Sequence, residues 1–312
     1  MVGLNGPELL PEERELLRHP SIGAVILFTR NYESPAQLEA LTAAVHGLRE
    51  PQLLIAVDHE GGRVQRFRSG FTPLPPARRI GELYDRGQAE GLHAAETLGW
   101  LMAVELRTAG VDFSFAPVVD VDSGASAVIG DRAFHHDPDA VSRLAIAWER
   151  GMQRAGMAAT AKHFPGHGGI REDSHTEIAV DRRTYAQLQQ SDLQPFRRLV
   201  QHGTPAVMAA HLIYPQIDRY AAGFSPFWLR HVLRGELGFQ GVIFSDDLYM
   251  TGASVAGDMP QRAHAALRAG CDMVLLCRPV TEPETTAALE RLEPGNDPVA
   301  HLRLARMHGR RH

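Results

Sequence analysis

The stretch GVIFSDD, residues 241–247, is a run of apolar residues that ends abruptly in two acids. Its apolarity is nearly continuous, which is typical of a strand in a parallel sheet that is covered on both faces. A weaker candidate for a strand lies at residues 1–4. Six further runs are nearly continuous in apolar residues, like residues 241–247, and are also predicted to be strands: IGAVILF (22–28), LLIAVD (53–58), FSFAPVVDV (113–121), MAATAKH (157–163), AVMAAH (206–211) and MVLLC (273–277).

The segments between these runs have the signals of helices. Gly110 and Gly238 stand where helices are expected to end. Seven or eight strands that alternate with helices over 312 residues predict a closed (β/α)8 barrel of the TIM type, and no G-x-G-x-x-G follows a strand. We find no repeat or linker and predict one catalytic domain, residues 1–312. Three helices are expected to begin where a capping side chain precedes proline: Ser34-Pro35, Asp137-Pro138 and Ser225-Pro226.

The composition excludes several classes of protein. Lys and Arg total 32 and Asp and Glu total 37, for a formal charge of −5, which argues against nucleic acid or an anionic membrane as a partner. No apolar run approaches the roughly 20 residues that cross a bilayer, and no secretory signal is recognisable. The two cysteines, Cys271 and Cys277, are expected to be buried, reduced thiols. We therefore expect a monomeric cytoplasmic enzyme.

Nearly every predicted strand ends in an ionisable residue. In a barrel enzyme the active residues gather at the C-terminal ends of the strands. Any one of these residues can be a solvated loop charge, but the set as a whole predicts a site at this end of the barrel. Its members are Asp58 with His59 and Glu60, Asp120 and Asp122, Lys162-His163, His211 and Asp246-Asp247.

A glycine-rich loop, KHFPGHGGIREDSH (162–175), follows one strand. Its glycine density predicts a loop that moves like a lid. Asp173 and His175 are two residues apart, so that on a loop the carboxylate can fold back onto the imidazole and stabilise its protonated form. Taken alone, an Asp-x-His in a loop is more often a local turn.

Two other stretches supply chemistry. Asp246 ends a strand, where rigid backbone suits a nucleophile, whereas Asp247 is expected to cap the next helix. In VDHEGGRVQRF (57–67) a carboxylate and a guanidinium can converge to hold vicinal hydroxyls. Arg132 is a further candidate for this role, and Arg63 is expected to form a surface ion pair.

These residues bear a resemblance to a known family. KHFPGHGGIREDSH, DHEGGRVQRF, ILFTRNY (26–32) and GVIFSDDLYM (241–250) together resemble the family 3 glycoside hydrolases, and within them the bacterial β-N-acetylglucosaminidases of peptidoglycan recycling. The similarity runs from about residue 1 to residue 280. His59 departs from the pattern, since members of the family often have glutamine there.

The resemblance implies a function and a set of roles. It implies a retaining exo-β-N-acetylglucosaminidase that removes N-acetylglucosamine from 1,6-anhydro-N-acetylmuramic acid, often with the peptide attached. Asp246 would be the nucleophile and His175 the acid/base, with Asp173 as its partner. No metal or other cofactor is implied. The terminal N-acetylglucosamine would be bound by Asp58, Arg66, Arg132, Lys162 and His163.

Three alternatives remain open at the level of sequence. A metal-dependent barrel hydrolase is disfavoured because no HExxH is present and His163-x3-His167 lies in a glycine-rich loop. A sugar-binding protein without catalysis is disfavoured by the joint presence of Asp246, His175 and Asp173. A phosphorylase, in which phosphate rather than water resolves the covalent intermediate, is compatible with a histidine acid/base.

Overall fold

Ten strands form in the computed structural model, which describes residues 1–126, 128–172, 174, 177–293 and 297–309. All eight predicted runs contain a strand, and a short hairpin at residues 59–65 was not predicted. The strands are β1 (Val2–Gly3), β2 (Ala24–Leu27), β3 (Leu54–Val57), β4 (His59–Gly61), β5 (Val64–Gln65), β6 (Phe113–Ser114), β7 (Thr160–Phe164), β8 (Ala206–Ala209), β9 (Val242–Asp247) and β10 (Met273–Pro279).

Eight of these strands close into a barrel. Their order is β6-β3-β2-β1-β10-β9-β8-β7, with every neighbouring pair parallel. The two ends of this order meet through bridges that pair Phe113 with Ala158 and Val118 with Lys162. The backbone N–H of Thr160 donates to the Ala116 carbonyl at 2.8 Å across the same seam. The predicted (β/α)8 barrel is therefore confirmed.

Helices lie between the strands. The α-helices span Pro11–Leu16, Pro35–His46, Ala77–Arg86, Gln88–Thr108, Pro138–Arg154, Tyr185–Gln190, Leu193–His202, Met259–Ala269, Pro283–Arg291 and Pro298–Ala305. A helix with π-type hydrogen bonding spans Phe227–Glu236, and short 3-10 turns span Thr29–Asn31, Gly130–Arg132, Ala222–Phe224 and Thr251–Ala256. In the described part of the chain, no helix is both long enough and apolar enough to cross a bilayer.

The predicted helix ends are found. The side chain of Ser34 accepts from the Gln37 N–H at 3.2 Å, and that of Asp137 accepts from the Asp139 N–H at 3.1 Å. Gly110 and Gly238 have φ values of +80° and +75°, which are readily adopted by glycine. At the third site the helix begins at Phe227, one residue later than predicted, although the Ser225 hydroxyl still accepts from the Trp228 N–H at 3.1 Å.

The interior of the barrel is filled by side chains. Phe113, Phe115 and Phe244 form a cluster with ring centroids 5.2–5.5 Å apart, and all three are fully buried. Both cysteines are free thiols, as predicted, but only Cys271 is buried, whereas Cys277 is half-buried. The barrel therefore has a packed core, so that its chemistry must lie at an end.

Candidate active site

A ladder of opposite charges lies at the C-terminal end of the barrel. The Lys162 ammonium is 2.9 Å from Asp58 Oδ1 and 2.7 Å from Glu60 Oε1. Arg66 Nη2 donates to Asp58 Oδ2 at 3.1 Å. Arg132 donates to Glu60 through two N–H groups, each at 2.8 Å. Four of the predicted sugar-binding residues therefore belong to one chain of ion pairs, in the order Arg66–Asp58–Lys162–Glu60–Arg132. The fifth member, Glu60, had been assigned no role.

The members of this ladder hold one another in the charged form. Burial opposes ionisation of Asp58 and Glu60, but the cations beside them keep the pKa of both carboxyls below the usual range. Burial likewise opposes the charge on Lys162, whereas the two carboxylates raise its pKa above the ordinary value. The site is therefore a fixed set of charges at neutral pH. Such a set can donate to and accept from sugar hydroxyls without reorganising.

A hairpin turn with two glycines brings Arg66 back to the side chain of Asp58. Gly61 and Gly62 have φ values of +104° and +56°, and they turn the chain into the hairpin of β4 and β5. A Cβ at Gly61 would lie 2.6 Å from the Pro75 carbonyl oxygen, so the turn also passes close to another backbone segment. The Nε of Arg66 is buried and has no hydrogen-bond partner among the described residues.

Asp120 organises the start of the glycine-rich loop. It is fully buried, its Oδ2 is 2.7 Å from His163 Nδ1, and its Oδ1 accepts from the His167 N–H at 2.7 Å. Burial opposes ionisation of Asp120, but His163 keeps its pKa below the usual range. Because a carboxylate can only accept, Nδ1 of His163 carries the proton, and Nε2 remains for a ligand.

Two glycines of this loop allow close packing, a role that was not predicted. A Cβ at Gly168 would collide with the Val121 carbonyl, and one at Gly169 would collide with the Arg183 guanidinium. The Gly168 carbonyl also accepts from the Ser123 hydroxyl at 2.6 Å. At Gly168 and Gly169 glycine therefore allows close packing, and the mobility of the loop stays a prediction.

Further along the loop, Ser174 is anchored at two points. Its hydroxyl is 2.7 Å from His167 Nε2, and its carbonyl accepts from the Gly252 N–H at 3.0 Å. Asp173 and His175, the predicted catalytic pair, lie outside the described residues.

Asp246 lies near the end of β9, beside the start of the next turn. Its Oδ1 accepts from the Asp247 N–H at 2.8 Å, and its carbonyl oxygen is 3.2 Å from His211 Nε2. Burial lowers the pKa of both His167 and His211, and the nearby Asp246 carboxylate acts in the opposite direction. Two histidines from different loops therefore lie within electrostatic reach of Asp246.

Asp247 does not cap a helix, contrary to expectation. Its Oδ1 accepts from the N–H groups of Tyr249 and Cys277, each at 3.1 Å, so it joins β9 to β10. Burial raises its pKa to about 6. Burial also raises the pKa of Cys277, with further contributions from the charges of Asp247, Asp58 and Asp246. Carboxylates from β9 and from the end of β3 therefore come together around Cys277.

Two strand-end residues, His59 and Asp122, lie away from this centre, as does Arg63. The His59 ring packs 5.8 Å from the rings of Phe67 and Phe71, and burial lowers its pKa to about 3. His59 is therefore a core residue, since its side chain is buried among aromatic rings and is not part of the ion pairs around Asp58. Asp122 pairs with Arg78. Arg63 forms the expected exposed ion pair, with Asp131 at 3.3 Å.

Other kinds of site are less well supported. In the portion of the chain that the structure covers, no group of three or more His, Cys, Asp or Glu side chains could hold a metal ion. A cleft of about 1630 Å³ lies at the opposite end of the barrel, where its walls include Gly23, Leu54 and Met273 at the starts of strands. The active sites of TIM-barrel enzymes lie at the C-terminal ends of the strands, not at the end that holds this cleft.

Comparison with known proteins identifies the family of this chain. Residues 4–308 match the N-terminal domain of glycosyl hydrolase family 3. The chain is 59% identical over its whole length to a β-hexosaminidase of Thioalkalivibrio sulfidiphilus, and 56% identical over 99% of its length to one of Alkalilimnicola ehrlichii; it covers 89% and 88% of these relatives.

A solved structure agrees in fold. NagZ from Neisseria gonorrhoeae, in complex with N-trifluoroacetyl-D-glucosamine, superposes with a TM-score of 0.93 at 43% identity, over 99% of this chain and 89% of that one. The match extends through the strands that carry Asp58, Lys162 and Asp246. The chain therefore belongs to glycoside hydrolase family 3 and is an enzyme of the β-hexosaminidase type.

Proposed function

We propose that this enzyme is a retaining exo-β-N-acetylglucosaminidase that acts through a covalent glycosyl-enzyme. The observation that carries the proposal is the Asp246 carboxylate, which is fixed on β9 by the Asp247 N–H at 2.8 Å. A carboxylate on rigid backbone at the mouth of the barrel suits attack on an anomeric carbon.

The sugar would be held by the charge ladder. Asp58, Arg66 and Lys162 present an acceptor and two donors within one hydrogen-bonded group, which suits the vicinal hydroxyls of a terminal sugar. His163, oriented by Asp120, and Arg132, oriented by Glu60, would complete the set. The glucosamine derivative bound to the Neisseria NagZ supports N-acetylglucosamine as the sugar.

The proton would be supplied by His175 with Asp173 as its partner, as the family resemblance implies. In the first step, protonated His175 would give its proton to the leaving oxygen while Asp246 attacks the anomeric carbon. In the second step, neutral His175 would take a proton from the water that cleaves the ester. A histidine in this role avoids placing a further carboxylate near Asp246 and Asp247, whose charges would repel it.

The substrate class would be peptidoglycan fragments in which N-acetylglucosamine is β-linked to 1,6-anhydro-N-acetylmuramic acid, with or without its peptide. The kinship with NagZ supports this substrate. The two free thiols fit a reducing compartment, so we place the enzyme in the cytoplasm as part of the proposal. No nucleic acid or membrane partner is invoked, and we expect the enzyme to act as a monomer.

Hydrolysis is favoured over phosphorolysis by the charges of the site. The three cations of the ladder are each paired with a carboxylate. When Asp246 is esterified in the covalent intermediate, Asp58, Glu60 and the buried Asp120 balance these three cations, so the described centre has no surplus positive charge to attract a phosphate dianion as the second nucleophile. Phosphate should therefore not accelerate turnover, and no N-acetylglucosamine 1-phosphate should form.

The test is to trap the intermediate. A 5-fluoro N-acetylglucosaminyl fluoride should label Asp246, which peptide mapping would detect. Asp246→Ala should abolish turnover of the aryl glycoside and regain activity with azide as an external nucleophile. Asp247→Asn is the matched control, since it keeps an acceptor oxygen for the β9–β10 contact. A sugar attached to any other residue would refute the assignment.

The acid/base is tested by leaving groups. His175→Ala should lose about 10²–10⁴-fold on a natural disaccharide, whose leaving oxygen needs a proton. It should lose much less in the first step on a 2,4-dinitrophenyl glycoside. Equal losses on both substrates, without azide rescue, would mean that His175 is not the acid/base.

A further inference from the structure

His211 lies beside the proposed nucleophile but belongs to a different strand. It follows β8, is 1% exposed, and its Nε2 is 3.2 Å from the carbonyl oxygen of Asp246. The pairing of β8 with β9 ends at Ala209 and Ser245. The next residue after β8, Ala210, donates its N–H to the Phe164 carbonyl on β7 and not to β9. The imidazole thus supplies a donor to β9 where the backbone of β8 turns away from it.

The contact acts on one peptide unit. The Asp246 carbonyl and the Asp247 N–H belong to the same planar group. His211 holds the carbonyl end of this group, and the N–H end donates to Oδ1 of Asp246 at 2.8 Å. Rotation of the peptide plane would therefore move the N–H away from the carboxylate that it orients.

The imidazole ring is itself held firmly. It stacks on the Phe224 ring with centroids 5.0 Å apart and planes 15° apart. On its other edge the backbone of Gly223 is so close that a Cβ there would lie 3.0 Å from Nδ1 of His211. A Cβ at Gly252 would lie 2.7 Å from the His211 carbonyl oxygen. There is little room for the ring to change its position.

The hydrogen-bond partners select one tautomer. A carbonyl oxygen only accepts, so the proton is on Nε2 of His211. Nδ1 is buried and has no partner among the described residues, so a second proton there would add a charge and an unsatisfied donor to the interior. The ring is therefore neutral, which suits a fixed donor and does not suit an acid/base.

We propose that His211 is a positioning residue that aims the Asp246 carboxylate through the peptide unit between residues 246 and 247. The inference rests on the proposed function in that it takes Asp246 as the nucleophile. It differs from the roles already assigned because His211 acts through the backbone and makes no contact with the sugar in the proposed mechanism.

The test compares two substitutions. His211→Phe keeps a ring to stack on Phe224 and removes the donor, whereas His211→Gln keeps an N–H donor at a similar reach. Because a misplacement of about 1 Å can lower a rate by about 10²-fold, His211→Phe should form the glycosyl-enzyme about 10- to 100-fold more slowly. The inhibition constant of N-acetylglucosamine should change less than about twofold, since the charge ladder is untouched.

The remaining readouts decide between positioning and general disruption. The loss in His211→Phe should be the same for good and poor leaving groups, because nucleophilic attack is impaired and proton donation is not. His211→Gln should regain most of the rate. A wild-type rate in His211→Phe would overturn the inference, as would equal losses in both variants with weakened sugar binding.

The same experiment separates this inference from the proposed function. If the trapped sugar maps to a residue other than Asp246, the proposed function fails and the inference fails with it. If it maps to Asp246 while His211→Phe reacts at the wild-type rate, only the inference fails.

Discussion

Glu149 offers a quantitative test of the packing. It lies on the helix Pro138–Arg154, is 6% exposed, and accepts a hydrogen bond from the Thr204 hydroxyl at 2.6 Å. Burial raises its pKa from 4.5 to about 8, although the Thr204 hydroxyl acts in the opposite direction. The folded protein therefore holds a proton at pH 7 that the unfolded chain releases.

The sign and size of the effect follow from linkage. Between pH 4.5 and about 8 the folded state binds the proton more tightly, so the free energy of unfolding falls as the pH rises. The slope is about 1.4 kcal/mol per pH unit, so the loss is about 3 kcal/mol at pH 7 and about 5 kcal/mol above pH 8. The glutamine of Glu149→Gln cannot ionise, so this variant should not lose stability in this way. Its free energy of unfolding relative to wild type should therefore rise by about 3 kcal/mol between pH 4.5 and pH 7, and by about 5 kcal/mol above pH 8.

The measurement is urea unfolding, followed by tryptophan fluorescence, at intervals from pH 4.5 to 8.5. A buried amide can cost about 1–3 kcal/mol, but that offset does not depend on pH, so the difference between the two pH profiles is the informative quantity. Thr204→Val removes the hydrogen bond that favours the ionised form of Glu149, so the fall in the free energy of unfolding should continue to higher pH. Parallel profiles for wild type and Glu149→Gln would refute the argument.

Three further predictions concern the active site. Glu60→Gln should destabilise the fold by about 3 kcal/mol and weaken N-acetylglucosamine binding in calorimetry, because Lys162 and Arg132 lose their shared carboxylate; unchanged stability and affinity would contradict this. Gly168→Ala should lower kcat/KM more than tenfold, whereas Gly6→Ala, which has open space around it, should not. Exhaustive chelation should leave turnover intact, and a loss that zinc restores would show a metal requirement.

Sequence reasoning predicted that several of these side chains lie together at one end of the barrel, but it did not predict every contact among them. Continuous apolar runs marked all eight barrel strands, and the acids and bases at their ends predicted a site there. Glu60 and His211 were both recognised as strand-end residues, but neither was given a function. The signal that could have identified Glu60 is the alternation of side chains after β3, which directs residues 58 and 60 to one face and 59 to the other.

The sequence by itself determined the strands, the helix ends and the chemistry available at one end of the barrel. These depend on local pattern: apolar continuity, capping side chains before proline, and glycine where φ is positive. Only the tertiary structure decided which charges meet, because Lys162 reaches Asp58 across 104 residues and Arg132 reaches Glu60 across 72. It also decided that Gly168 serves close packing, since the Val121 carbonyl that a Cβ there would strike comes from another strand's loop. Contacts of this kind depend on how the barrel closes, and no local pattern encodes them.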